Sequence, residues 1–163
     1  MSIKENKGLS KAKPSSKSGN VLSEKLLQFI WQFGYFNKAG LTTTQGEELV
    51  ILYAGVHNKN QGPDFTAAKI RVGDTVLAGT AELHLKTSDW KRHNHEEDEQ
   101  YKNVVLHVVF EHDCVVNSIP VLELGPRVSN LLLHKYASFM EAGSFVACGR
   151  SINSVKEITW AAW

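Results

Sequence analysis

Asp64, Glu82, His84, Asp89, His93 and His95 all fall in one stretch of the chain, between Gly62 and His95. Carboxylates and imidazoles are expensive to bury unless something pairs with them, and a divalent cation is one economical partner for such a set. Asp64 and Glu82 offer hard oxygen ligands suited to Mg²⁺ or Mn²⁺, which lowers the pKa of bound water and clamps a phosphoryl oxygen. His84, two residues beyond Glu82, is placed to act as general base. His93 and His95 could contact a phosphate, and Trp90 could stack on a base. A second grouping, His84, His93, His95 and Asp98, has the donor types of a zinc hydrolase. The third reading is non-catalytic: the same residues form a hydrogen-bond network in a binding or assembly domain, with Asp64 only a turn residue after Pro63.

These residues must be held by strands. Asp64 opens a β run to about Val72, Gly73-Asp74 has the composition of a tight turn, and Thr75 to Leu85 forms the next strand. Glu82 and His84 then share a face, about 6.5–7 Å apart. A two-residue turn pairs Val72 with Thr75 and sets Asp64 opposite Leu83, on the wrong face. A one-residue irregularity between Val72 and Glu82 is therefore required, and Gly79 is the natural bulge, a three-residue turn being the alternative.

Around this hairpin the pattern is mixed. Ser23 caps a helix over Glu24 to Phe33 with Leu22 and Leu27 as a staple, apolar residues at helical spacing, and Gly34 as its stop. Glu48 to Tyr53 is a strand, and Gly55 to Pro63 a loop. Glu96 to Asn103 is polar enough for a short helix with His95 and Asp98 on one face. Val104 to Phe110 is apolar on both faces, a central strand in which His107 reads as a core histidine. Val115-Val116 and Pro120 to Leu124 suggest a further hairpin, and Val128 to Met140 a helix. Ser154 with Glu157 opens a last helix that stops at Trp163, as in a chain truncated at its C-terminus. The expected fold is α/β (α+β), a mixed sheet flanked by helices in αβββαβ order.

Bulk properties narrow the partners. At 163 residues a single domain over 21–163 is expected. Residues 1–20 hold five of the 18 basic residues and one of the 17 acidic ones, a basic tail expected to be disordered. The remainder carries 13 basic against 16 acidic residues, an acidic balance that argues against strong phosphate-driven binding of nucleic acid. Cys114 and Cys148 lack any metal or disulfide spacing and fit reduced thiols in a cytoplasmic protein. No run is long and apolar enough for a membrane span.

The combination Gly62-Pro63-Asp64-Phe65, Glu82-x-His84, Asp89-Trp90, His93-x-His95 and Tyr101, followed by Val105-Leu106-His107-Val108-Val109, resembles an uncharacterised bacterial family known only as a domain of unknown function. The likeness covers about Leu26 to Leu124, and family members tend to be longer. The element order, with an Asp opening the second strand and Glu on the third, is also similar to the PD-(D/E)XK nuclease superfamily. That resemblance implies a restriction-endonuclease-like core in which Asp64 and Glu82 bind Mg²⁺ and nucleic acid is the substrate. His84 stands where the superfamily has Lys, a departure that shifts metal preference toward Zn²⁺ or Mn²⁺. Trp90 with His93 and His95 is similar to the mismatch-nicking branch of that superfamily.

Overall fold

The computed structural model describes residues 22–116 and 119–141. The basic tail and the Ser154–Trp163 segment lie outside the described residues. Helix α1 spans Glu24–Phe33, with the Ser23 side chain accepting from the Leu26 N–H and Gly34 closing the helix at φ 66°. Ile30 and Trp31 supply the carbonyls that the Gly34 turn satisfies, as a left-handed C-terminal cap requires. Leu26, Leu27, Ile30 and Trp31 are buried, which is the face the apolar spacing marks out.

Strands β1 (Leu49–Tyr53), β2 (Val56–His57), β3 (Phe65–Val72), β4 (Thr75–Lys86), β5 (Val104–Glu111) and β6 (Val121–Glu123) form one mixed sheet in the order β1-β3-β4-β5-β6, with β2 also on β3. The β1–β3–β4 part is antiparallel, while β5 lies parallel to β4 and β6 parallel to β5. The mixed α/β architecture expected from the sequence is therefore the one observed.

One face of the sheet carries the main core, and the other is covered over β5 and β6 while β3 and the first half of β4 leave residues exposed there. α1 packs on one face against Phe65, Ile70, Leu83, Leu106 and Val108. A smaller cluster of Trp90, Val109, Val116 and Val121 lies apart from it. Helix α2 (Asp89–Arg92) carries Trp90, and helix α3 spans Asn130–Glu141. No helix among the described residues is long and apolar enough to cross a membrane.

Four local expectations are corrected. The loop after Gly55 contains β2. The helix expected over 96–103 is reduced to a 3-10 turn at Glu99–Tyr101, and the short helix α2 lies upstream of that range. The chain leaves the helical region at Asn94, with φ 57°, and at extended Asp98, whose side chain caps the Gln100 N–H. His95 and Asp98 consequently share no helix face. Residues 120–124 do not close a hairpin: β6 runs parallel to β5, and the Pro120 carbonyl, just outside the strand, accepts from the His107 N–H.

The fourth correction concerns the bulge. Val72 pairs with Thr75 across a tight turn, and that alignment holds back to Ala68–Gly79. Beyond it, Phe65 pairs with Ala81, so the extra residue lies on β3 between Phe65 and Ala68. Ala67, at φ 57°, takes the left-handed conformation that the irregularity demands. The register shift needed to bring Asp64 alongside Glu82 is therefore present, on the strand opposite Gly79.

Candidate metal centre

The parallel register of β4 and β5 sets Glu82 against His107. Alternation along both strands then places Glu82, His84 and His107 on one face while Leu83, Leu106 and Val108 enter the main core. The loop and short helix that connect the two strands return His93 and His95 over the same face. Glu82, His84, His95 and His107 are all buried, whereas His93 is exposed.

The donor atoms converge. The Glu82 Oε1 atom is 3.6 Å from His84 Nε2 and 3.7 Å from His95 Nε2. His93 Nδ1 is 3.1 Å from His84 Nε2. One donor atom each from His84, His93 and His95 lies within 4.8 Å of the others. Tetrahedral zinc with bonds of about 2.0–2.1 Å spaces its ligand atoms roughly 3.3–3.4 Å apart, the scale of these separations.

His95 is held without being satisfied. Its ring stacks on Tyr101 at 3.7 Å between centroids and on His84 at 5.2 Å, with the edge of Trp90 also 5.2 Å away. It is only 9% exposed, yet neither ring nitrogen has a hydrogen-bond partner. An unpaired polar atom in such a place is destabilising by about 1–3 kcal/mol.

Asp64 is beside this group but otherwise engaged. Its Oδ1 accepts from Gln28 Nε2 at 2.7 Å and its Oδ2 from the Leu83 N–H at 3.1 Å. Its own N–H donates to Glu82 Oε2 at 2.9 Å. The two acidic residues are therefore tied together across the strand pair, and α1 braces them through Gln28. Asp98 is exposed and caps the 3-10 turn, so it is not brought to the cluster. Trp90 is 3% exposed and packs 5.1 Å from the His107 ring, as a wall of the site rather than an open platform. His107, expected as a core residue, is buried and also bonded to His84, Nε2 to Nδ1, at 2.9 Å. Sequence spacing had no means of pairing these two, since the contact depends on parallel strand register. Gln28 carries no signal in the sequence either, being a polar position of an amphipathic helix.

Burial pushes the Glu82 carboxyl up to about 8, and the Asp64 charge beside it adds to the effect. Burial likewise raises Asp64 to about 6, against the opposing hydrogen bond from Leu83. His84 is pulled down to about 2 and His107 to about 3, first by burial and then by neighbouring imidazoles. His95 is lowered for the same reasons. A cation favours the deprotonated form of every one of these groups, so it would relieve the carboxyl penalties and use the imidazoles as they stand.

Two opposed slopes of stability against pH follow for the metal-free protein. His84 and His107 stay neutral in the fold while unfolded imidazole takes a proton below its ordinary 6.5. The unfolded chain then binds more protons, and stability rises with pH from about 3 to about 6.5. Glu82 does the reverse. Its proton is retained in the fold to about 8 but lost near 4.5 when unfolded, so its contribution is complete below 4.5 and gone above 8. Asp64 adds the same sign between 3.8 and about 6. Melting temperature without metal is expected to peak near pH 6.5 and then decline to pH 8, a loss of about 1–2 kcal/mol. Glu82→Gln should flatten that decline. A wild-type curve still rising from pH 6.5 to 8 contradicts the protonated state of Glu82.

The fold and cluster define a mixed α/β domain with a histidine-rich candidate metal centre braced by two acidic residues. The chain belongs to the family described as "Protein of unknown function (DUF2851)", whose model matches residues 24–163. No curated protein and no solved structure matches the chain.

Proposed function

We propose that the chain is a metal-dependent hydrolase in which Glu82, His84 and His95 hold one divalent cation of the zinc type. Three buried donors, two imidazoles and one carboxylate, are a ligand set that catalytic zinc sites use with a fourth position left open. His93, the exposed member, stands at that fourth corner, where a water or substrate oxygen can displace it. The observation that carries the reading is His95: buried, locked by stacking, unpartnered at both nitrogens, and 3.7 Å from a carboxylate oxygen.

The protein groups then divide the work. His84 is a ligand rather than a base, since both its nitrogens have protein neighbours within 3.1 Å and the ring is 1% exposed. Asp64 fixes Glu82 through the main chain. His93, in reach of solvent, accepts the proton of the attacking water. A cation held by Glu82, His84 and His95 would lower the pKa of a bound water and offset the charge that develops on the attacked group.

The substrate class we favour is a phosphodiester. Support comes from the Asp64–Glu82 pair, tied together across neighbouring strands and similar to the acidic pair of PD-(D/E)XK nucleases, although β2 adds a strand to the αβββαβ order of that superfamily. Nucleic acid is the natural macromolecular probe, although the acidic body offers little sequence-independent attraction to it. A Mg²⁺ or Mn²⁺ centre on Asp64 and Glu82 is the competing form. Hydrolysis of bis(p-nitrophenyl) phosphate and of single- and double-stranded DNA is the test, after chelation and re-addition of Zn²⁺, Mn²⁺ or Mg²⁺. Activity restored by zinc and lost by roughly 10³-fold in Glu82→Gln is expected. Restoration by Mg²⁺ alone favours the oxygen-ligand form, and no hydrolysis with any metal removes the enzymatic reading.

A further inference from the structure

His107 is wholly buried in the apolar run of β5, and its Nδ1 has no partner. A histidine in that setting weakens the fold unless its other nitrogen is used. That nitrogen, Nε2, lies 2.9 Å from Nδ1 of His84. On the far side of the His84 ring, Nε2 faces Glu82 Oε1 and His93 Nδ1. Neutral imidazole carries one proton, so the two sides of His84 are linked. If Nε2 presents a lone pair to the cluster, Nδ1 must carry the hydrogen, and the acceptor within reach is His107 Nε2. The proton of His107 then sits on its unpartnered Nδ1.

From this geometry we infer that His107 is the positioning residue for the centre: by accepting from His84 Nδ1–H it fixes the tautomer and ring orientation that aim His84 Nε2 at the cation. The inference rests on the metal-centre reading and adds to it a residue that never touches the cation. Parallel pairing of Glu82 with His107 makes the arrangement possible, because it puts the acceptor beside both the carboxylate and the imidazole it serves. Outer hydrogen-bond partners of metal-binding histidines typically change affinity by about 10–100-fold.

The test compares zinc affinity of the full chain with that of His107→Phe, which fills the space without an acceptor, and His107→Gln, which restores a carbonyl acceptor. His107→Phe should bind zinc about 10–100-fold more weakly while melting no lower than wild type in chelator, and His107→Gln should recover most of the loss. In zinc-loaded wild type, imidazole ¹⁵N spectra should show His84 protonated at Nδ1 and metal-bound at Nε2. Equal zinc affinity in wild type and His107→Phe overturns the inference while leaving the centre standing. Absence of zinc binding in wild type overturns both. If His107→Phe does not fold, the spectra decide, and an unprotonated His84 Nδ1 in the loaded protein refutes the role.

Discussion

His95→Ala is expected to reduce bound zinc from about one equivalent to less than roughly a tenth after gel filtration, an affinity loss of a hundredfold or more. In wild type, zinc at about 1,000 times its dissociation constant should add about 4 kcal/mol of stability, or roughly 8–16 °C in melting temperature for a domain of this size. His95→Ala should lose that increment. In chelator the same variant should melt close to wild type, because the ring it removes has two unpartnered nitrogens whose burial costs stability. The combination separates a ligand from a packing residue, which would be destabilising under both conditions. His112→Ala is the control. That imidazole bonds the Thr87 hydroxyl at 3.0 Å, and its loss should leave the zinc increment unchanged. Equal increments in wild type and His95→Ala are evidence against the assigned ligand set.

Gly79→Ala should be the most damaging single-methyl change on the sheet that carries the site. A Cβ at Gly79 would come 2.3 Å from the Asn103 carbonyl oxygen and 2.7 Å from Val105 Cγ1. The same carbonyl accepts from the Thr80 N–H at 2.9 Å and from its hydroxyl at 3.1 Å, fastening the start of β5 to β4. Backbone cannot rotate out of the way as a side chain can, so the two strands must separate where their parallel pairing begins. A loss of about 2–3 kcal/mol is expected, read as a fall of roughly 4–12 °C in melting temperature. Because Glu82, His84 and His107 depend on that pairing, zinc affinity should fall as well. A variant that melts within about 1 °C of wild type rules out this close approach.

Gly79 also shows what a sequence can and cannot disclose. The need for a one-residue irregularity follows from counting between Val72 and Glu82, and the irregularity exists. Its location does not follow, because glycine marks both bulges and tight backbone approaches. Here Gly79 serves the second purpose, and the bulge falls at Ala67, a residue with no special liking for positive φ. α1 was legible because cap, staple and apolar spacing agree. β5 was legible because a short, valine-rich apolar run suits a strand buried on both faces. The connection between β4 and β5 was not. Its charges favour helix over 96–103, but the chain must bring His93 and His95 over the sheet within a short span, and the helix is reduced to a 3-10 turn. The site was half visible in the same way. Residues close in sequence, Glu82 with His84 and His93 with His95, could be grouped by spacing. Gln28 and His107 arrive by tertiary contact and strand register, which spacing does not encode.

The decisive measurement is anomalous diffraction at the zinc edge from crystals grown with equimolar Zn²⁺. One strong peak is expected about 2.0–2.2 Å from a Glu82 oxygen, His84 Nε2 and His95 Nε2, with His93 or a solvent oxygen completing the sphere. A peak held by other residues, or full zinc binding with the Glu82–His84–His95 cluster unoccupied, would contradict a metal centre at this face of the sheet.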